Sequence, residues 1–267
     1  MESICQNCNH SILENFCANC GQKKFKRIDK KYVLDEVQYS VIHTNKGFLY
    51  SAKKILKNPG KTAHEFIYGN RVNHYKPLLL LFLLSGVATF ISFKIVGLNK
   101  IMTNYYASQH MNSELLNDIQ AFMSSYSSMI ILILVPFFSI FTKLVLRKWR
   151  ENYYEHIIMN AYVFSTYNFL LILVLYPILY LVRANVNAFV VFTSLVSVSI
   201  PLLLVWFYRG FYPDKSLKTI IGKVLLIVGC SFLVYMLIII LTITIAAIVA
   251  QFTGQDILHY LRPQKMS

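Results

Sequence analysis

Residues Asn58–Pro77 read NPGKTAHEFIYGNRVNHYKP, and the chain continues over Leu78–Leu98 as LLLLFLLSGVATFISFKIVGL. The first stretch is crowded with polar and titratable groups. The second is long and apolar enough to cross a bilayer as a helix. The change of character at Pro77 therefore marks a water–lipid boundary. Proline suits the first position of a helix entering the membrane, because the N–H it lacks would be unpaired there anyway.

Ahead of the boundary, four more apolar segments are long enough to span: about Tyr126–Leu146, Ile157–Val182, Ala188–Tyr208 and Gly222–Ala250. The third and fifth exceed a span and can tilt or emerge from the bilayer. Composition agrees: of 267 residues 56% are apolar and 14% charged, with mean hydropathy +0.50, which excludes an ordinary soluble enzyme. The expected fold is an all-α polytopic membrane protein of about five transmembrane helices over residues 78–250, followed by a tail at 251–267. Pro136, Pro177 and Pro201 fall within spans and should bend them. The loop Asn99–Ser125 is expected to carry at most a short interfacial helix. Asn160, Ser165, Thr166 and Asn168 in the third span, and Thr193, Ser194, Ser197 and Ser199 in the fourth, can join helices by hydrogen bonds. No acid or histidine occupies the middle of a span, which argues against ion-coupled pumps and proton-driven transporters.

The formal charge of +14 has a location. Placing the amino terminus inside puts 21 of the 26 Lys and Arg residues on the cytoplasmic side. Lys94, Lys100, Arg183, Arg262 and Lys265 remain outside. The positive-inside bias thus selects amino terminus in and carboxyl terminus out. The first thirty residues contain no apolar signal-peptide core, which agrees with a cytoplasmic head.

Behind the boundary, Pro59-Gly60 ends one helix, Thr62-x-x-Glu65 matches a capping box for the next, and Gly69-Asn70 suits its end. His64-Glu65 begins like the H-E-x-x-H zinc-protease motif, but Tyr68 stands where the second histidine must be. Arg71 and Lys76 suit phosphate contacts, and Tyr75 suits headgroup depth. Residues 25–77 form a basic juxtamembrane region of amphipathic helices. Tyr32–His43 has a weak helical pattern. In Gly47–Lys57, Phe48, Leu49, Ala52, Ile55 and Leu56 share a face opposite Lys53, Lys54 and Lys57. This helix either lies in the membrane interface or covers the bundle.

Residues 1–24 hold two C-x2-C knuckles, Cys5/Cys8 and Cys17/Cys20, separated by eight residues. Two such turns bring four thiolates to one tetrahedral Zn2+, leaving no open coordination position, so the expected metal is structural. Asn7, Asn19 and Gly21 tolerate the left-handed backbone of such turns. Two disulfides are the alternative, disfavoured in a reducing compartment. His10 reads as a surface residue, and Cys230 as a small packing residue in an apolar run. Gly21–Lys31 then carries six basic residues against one acid. Beside a membrane this indicates anionic lipid headgroups more than nucleic acid.

Glu151, Tyr153, Tyr154, Glu155 and His156 sit at the cytoplasmic mouth of the third span, on the membrane face assigned to Arg71 and His74. Glu155 could orient a histidine or pair with Arg71. Arg71, His74, Tyr75, Glu155 and His156 together form a candidate headgroup- or anion-binding set.

Three stretches resemble an uncharacterised bacterial family of integral membrane proteins with an amino-terminal zinc ribbon. They are CQNCNHSILENFCANCGQK, GFLYSAKKILKNPGKTAHEFIYGNRVNHYKPLLLL and NYYEHIIMNAY. The matching positions are Pro59, Gly60, Gly69, Arg71, Tyr75, Pro77, Glu155 and His156. Asn160 and Tyr162 stand where such proteins often carry further histidines, so no histidine-rich metal centre in the membrane is implied. The resemblance implies a bacterial cytoplasmic membrane and the architecture above, but no reaction. The functional expectation is a non-enzymatic membrane protein whose zinc ribbon docks a cytoplasmic protein partner or serves regulation. The alternative is a transporter or interfacial enzyme handling a lipid headgroup or small anion at the cytoplasmic face.

Overall fold

A computed structural model describes residues 3–25, 27–32, 48–71, 74–109, 111 and 113–253. The chain is mostly helical, with a small cysteine-bearing head and, among the described residues, five helices long and apolar enough to cross a membrane. The spans run Pro77–Val96, Glu114–Val145, Tyr153–Val182, Val186–Phe211 and Leu217–Thr242. The weak helical pattern at 32–43 falls, beyond Tyr32, outside the described residues, as does the tail after Thr253.

In the head, β1 (Ser3–Ile4) pairs antiparallel with β2 (Ser11–Ile12), with Ser3 opposite Ile12 and Ile4 opposite Ser11. Helix α1 (Phe48–Lys57) leads to α2 (Pro59–Ile67). Asn58 caps α2 by accepting from Lys61 N at 2.9 Å, with Pro59 at the first turn. This corrects the expected Thr62–Glu65 box: Thr62 is already inside the helix, where its hydroxyl donates to Asn58 O at 2.8 Å. Asparagine at the cap followed by proline is a strong start signal, and it wins over the weaker pattern four residues later. Of the two readings of α1, the structure shows cover for the bundle. Ser51 and Ile55 are fully buried, and α1 packs on α2 and on the third span.

The first span begins as α3 (Pro77–Phe90) and finishes as a π-helical segment, Ile91–Val96. Gly97, at φ 78°, turns the chain into α4 (Leu98–Ser108). The second span is α5 (Glu114–Val145), 32 residues long. It is far longer than its apolar run: in the Asn99–Ser125 loop, expected to carry at most a short interfacial helix, the residues from Glu114 onward already belong to α5. Ser113 caps it by accepting from Leu116 N at 3.3 Å, and no glycine or proline interrupts the helix until Pro136. At about 1.5 Å per residue α5 reaches ~48 Å, well beyond a hydrocarbon core of ~30 Å.

The third span is the hub. It comprises α6 (Tyr153–Leu170), a π-helical segment Leu171–Leu175, and α7 (Tyr176–Val182). Pro177 cannot donate to the carbonyl one turn back, and the widened π turn lies just ahead of it. Helix α6 packs on α1, α2, α3 and α5, and its residues are buried on every face. Such all-round burial explains why α6 has no polar stripe. The fourth span, α8 (Val186–Phe211), and the fifth, within α9 (Leu217–Thr253), leave many apolar side chains exposed, as lipid-facing helices do.

Helix α2 crosses α8 where Gly60 faces the backbone of Phe207 and Phe211, and Gly210 faces the Asn58 side chain. A Cβ at Gly60 would collide with the Phe207 carbonyl oxygen. Only glycine permits this backbone-to-backbone approach.

Candidate functional site

The four cysteines stand on two knuckles of the same build. Cys5 N donates to His10 O and Asn9 N to Cys5 O; Cys17 N donates to Gln22 O and Gly21 N to Cys17 O. The left-handed residues are Asn9 (φ 59°) and Gly21 (φ 69°), the equivalent position of each turn. This revises the assignment of that conformation to Asn7 and Asn19. Asn7 instead hydrogen-bonds the Cys20 thiol, and this bond is the largest cause holding Cys20 down at about 6, near thiolate.

The four Sγ atoms all lie within 4.8 Å of one another, with Cys5 to Cys20 at 3.6 Å and Cys8 to Cys17 at 3.5 Å. Ligands ~2.3 Å from a tetrahedral ion would be about 3.8 Å apart, so the set fits one metal ion. Cys5 and Cys17 are buried with Ile12, and Cys8 and Cys20 are half-buried. Among the described residues these cysteines form the one cluster of metal-ligating groups. His10 is exposed and outside it.

The head is joined to the bundle through a run of specific contacts. Gln22 Nε2 donates to Gly69 O, and Gly69 (φ 124°) leaves room for Gln6 and Phe25, which a Cβ would strike. Arg27 reaches both Glu155 carboxylate oxygens at 3.1 Å and also donates to Arg150 O at 2.7 Å. The carboxylate raises the already high pKa of Arg27. Asn152 Nδ2 donates to Ile28 O at 2.8 Å, and Ile28 is fully buried in the main hydrophobic cluster of the bundle.

Glu155 is thereby a double agent. Its carboxylate accepts from Asn152 N at 2.6 Å while its own N–H donates to Asn152 Oδ1 at 3.0 Å, closing a capping box at the start of α6. Its cationic partner is Arg27, not Arg71. Neighbouring Glu151, 3% exposed, accepts from Tyr68 OH at 2.8 Å and Tyr212 OH at 2.7 Å. Burial and the carboxylate push both phenols above their usual range, so each remains a donor. This knot ties the end of α2, the entry to α6 and the end of α8 together. Lys143 Nζ donates to Glu151 O, and Lys223 Nζ to Val145 O, bringing positive charge to the carboxyl end of α5.

Arg71 and His74 adjoin beyond the end of α2, where His74 N donates to Arg71 O at 3.2 Å. Arg71 donates to Phe66 O and Ile67 O at 3.2 and 3.3 Å, and its guanidinium stands 4.5 Å from the Tyr32 ring centre. It closes the carboxyl end of α2. His74 is buried edge-on to Tyr50 and Phe66, with Nε2 3.5 Å from the Glu65 carboxylate. Tyr75 is buried, and its backbone N donates to Ser51 Oγ at 2.6 Å. His156 is fully buried on α6, and its ring nitrogens make no hydrogen bond. Phe66 packs against His74 on one side and Tyr162 of α6 on another. Glu155 and His156 are together on α6; His74 and Tyr75 are together against α1 and α2.

Residues 45–89 match the model of a known family. It is the family described as Protein of unknown function (DUF3667). The matched residues run from α1 through α2 and the boundary into α3, and include Gly60, Gly69, Arg71 and Pro77. No curated protein and no solved structure matches the chain.

Arg27, Tyr68 and Tyr212 were not among the expected site residues. Tyr68 entered only as a missing histidine, and the pairing of Arg27 with Glu155 joins positions 128 apart in sequence.

Proposed function

We propose that this chain is a non-enzymatic, multi-pass protein of a bacterial cytoplasmic membrane. Its amino-terminal zinc ribbon faces the cytoplasm and docks a protein partner, coupling the partner to the membrane bundle. The observation that carries this reading is how the head is held. A closed four-thiolate cluster is fastened to the entry of the hub helix by Arg27 and Ile28 and to the end of α2 by Gln22, so a force on the ribbon acts directly on α6 and α2. Meanwhile Ile4, Leu13 and Phe16 on the ribbon are 64%, 76% and 59% exposed. Three large apolar side chains in so small a unit supply a contact surface.

Zinc is the metal of this proposal, because four thiolates in tetrahedral array favour it and leave no position for catalysis. The basic-residue distribution supports the orientation, and Lys23, Lys24, Lys30 and Lys31 suit anionic headgroups beside the docked head. Handling of a headgroup or small anion by Arg71 and Glu155 draws less support. Arg71 is engaged by helix-end carbonyls and aromatic rings, and Glu155 by a cap and Arg27.

The test places a photo-reactive amino acid at Leu13 and follows cross-linking in cells. A discrete protein adduct that vanishes in the Cys17→Ser, Cys20→Ser variant is the expected result. Adducts to lipid alone would overturn partner docking. Full zinc retention by the purified variant would overturn the metal assignment.

A further inference from the structure

At the end of the bundle remote from the ribbon, four spans enclose a cavity of about 270 Å³. It is partly enclosed and lined by both π-helical segments, by Ser85, Thr89 and Ser127 of the first two spans, by Asn168 of α6, and by Phe189 and Thr193 of α8. From the geometry we infer that this cavity binds a neutral lipid through a carbonyl oxygen, received by the side-chain amide of Asn168.

Three observations converge on that assignment. The lining is predominantly apolar and contains no Asp, Glu, Lys, Arg or His, so it offers nothing to an ion. Asn168 is 2% exposed, and its Nδ2 donor has no partner. A buried donor without an acceptor is costly, and a ligand oxygen would satisfy it. Most of the hydroxyls already give their protons to their own helices: Ser85 to Phe82 O, Ser92 to Thr89 O, Thr89 to Ser85 O and Thr193 to Phe189 O. Their oxygens therefore present mainly lone pairs, and the amide of Asn168 is the buried group that asks for an acceptor.

The π segments supply the third. Ile91–Val96 and Leu171–Leu175 belong to different spans yet meet at the same cavity. A π turn widens the helix and disturbs the regular ladder, and such turns gather at functional sites. Two of them lining one cavity open room that regular helices would close. The volume falls just short of the ~300–1,000 Å³ of sites that enclose a whole small molecule. It suits a ring or a carbonyl-bearing head with a length of chain, the remainder lying in the bilayer.

Two lipid sources carry that chemistry: the ring carbonyl of an isoprenoid quinone and the ester carbonyl of a diacylglycerol. The experiment uses the full chain, purified in detergent, with decylbenzoquinone and tritiated dioctanoylglycerol as probes in equilibrium binding. Saturable binding of at least one probe is expected, and which one binds identifies the source. The Asn168→Leu variant, which keeps the branched side-chain shape and removes the unpaired donor, should bind about tenfold more weakly without a fall in Tm, as loss of one buried hydrogen bond to the ligand predicts. Thr193→Phe, at the exposed rim, should abolish binding by filling the mouth, and it decides the matter if Asn168→Leu does not fold. Binding that never saturates, or that is equal in wild type and both variants, overturns the inference. Because neither readout involves the cysteines, zinc loss and lipid loss are separable.

Discussion

The two ends of the bundle differ in what their polar groups join. At the ribbon end, hydrogen bonds run between elements distant in sequence. Tyr68 and Tyr212 meet on Glu151, Arg27 meets Glu155, and Asn160 Nδ2 reaches Ser139 and Thr142 at 2.9 and 3.0 Å. At the far end, Thr89 Oγ1 meets Ser127 Oγ and Ser128 Oγ across the first two spans at 2.7 and 3.1 Å, but the serines and threonines of α8 donate back to carbonyls one turn away on their own helix. Bonds of the first kind fix elements against each other. Those of the second kind satisfy a hydroxyl in lipid but hold nothing else in place. The ribbon end is therefore built for a fixed geometry, whereas the cavity end retains an unpartnered amide and room to accept a ligand.

The strongest way to break this contrast is to disable the four-cysteine cluster. In the Cys17→Ser, Cys20→Ser variant the head should lose its order, since structural zinc contributes apparent binding free energies of ~10–16 kcal/mol to small domains. Proteolysis should then cut within the first 25 residues while the spans stay inserted. Equal protease resistance in variant and wild type would show that the head is held by docking alone. Next in size is the knot itself. Glu151→Ala removes the acceptor for two phenols and should cost about 2–3 kcal/mol, read as a fall in Tm. A comparable loss of about 1–3 kcal/mol is expected from Gly60→Ala, because the added methyl group meets the Phe207 backbone, which cannot move aside. Glu155→Ala should cost less. It removes the reciprocal half of the capping box, the bond from Asn152 N worth about 1 kcal/mol, and a pair with Arg27, whose side chain is 60% exposed and whose contribution water screens. A Glu155→Ala loss larger than that of Glu151→Ala would relocate the main fastening from the knot to the ribbon.

Hydropathy alone made the five spans legible, because satisfying the backbone in lipid leaves helices as the natural reading of long apolar runs. The cysteine cluster was legible for a similar reason: C-x2-C turns constrain their thiolates locally. What escaped was non-local. The sequence shows Glu155 beside several basic residues, and nothing in a single chain says that Arg27 rather than Arg71 meets it. Glu151 could be singled out, but not its two tyrosine partners, which lie on other helices. The Asn58–Pro59 cap was available as a local signal and was outweighed by the Thr62–Glu65 spacing. The length of α5 was misjudged because apolar composition marks where a helix can sit in lipid, while Ser113 marks where the helix begins. The π segments have no simple sequence signature, and the cavity they line has none either.

The smallest expected effect tests whether the boundary stretch is fixed as firmly as the knot. His74 is buried, and burial pulls its pKa below the ordinary 6.5, with Glu65 opposing the shift and Lys54 assisting it. Above 6.5 the imidazole is neutral in both folded and unfolded chains, and the native state keeps its full stability. As pH falls through 6.5 the unfolded chain takes up the proton first, so stability declines until pH passes the folded pKa. His64 is shifted the same way, also chiefly by burial, and adds to the slope. Tm measured between pH 8 and pH 5 should fall on the acid side, and His74→Phe, which keeps a ring between Tyr50 and Phe66, should make the fall shallower without erasing it. An unchanged slope would mean that water reaches His74 through the boundary stretch. The rigidity of the ribbon end would then stop at α2 instead of extending to the membrane entry at Pro77.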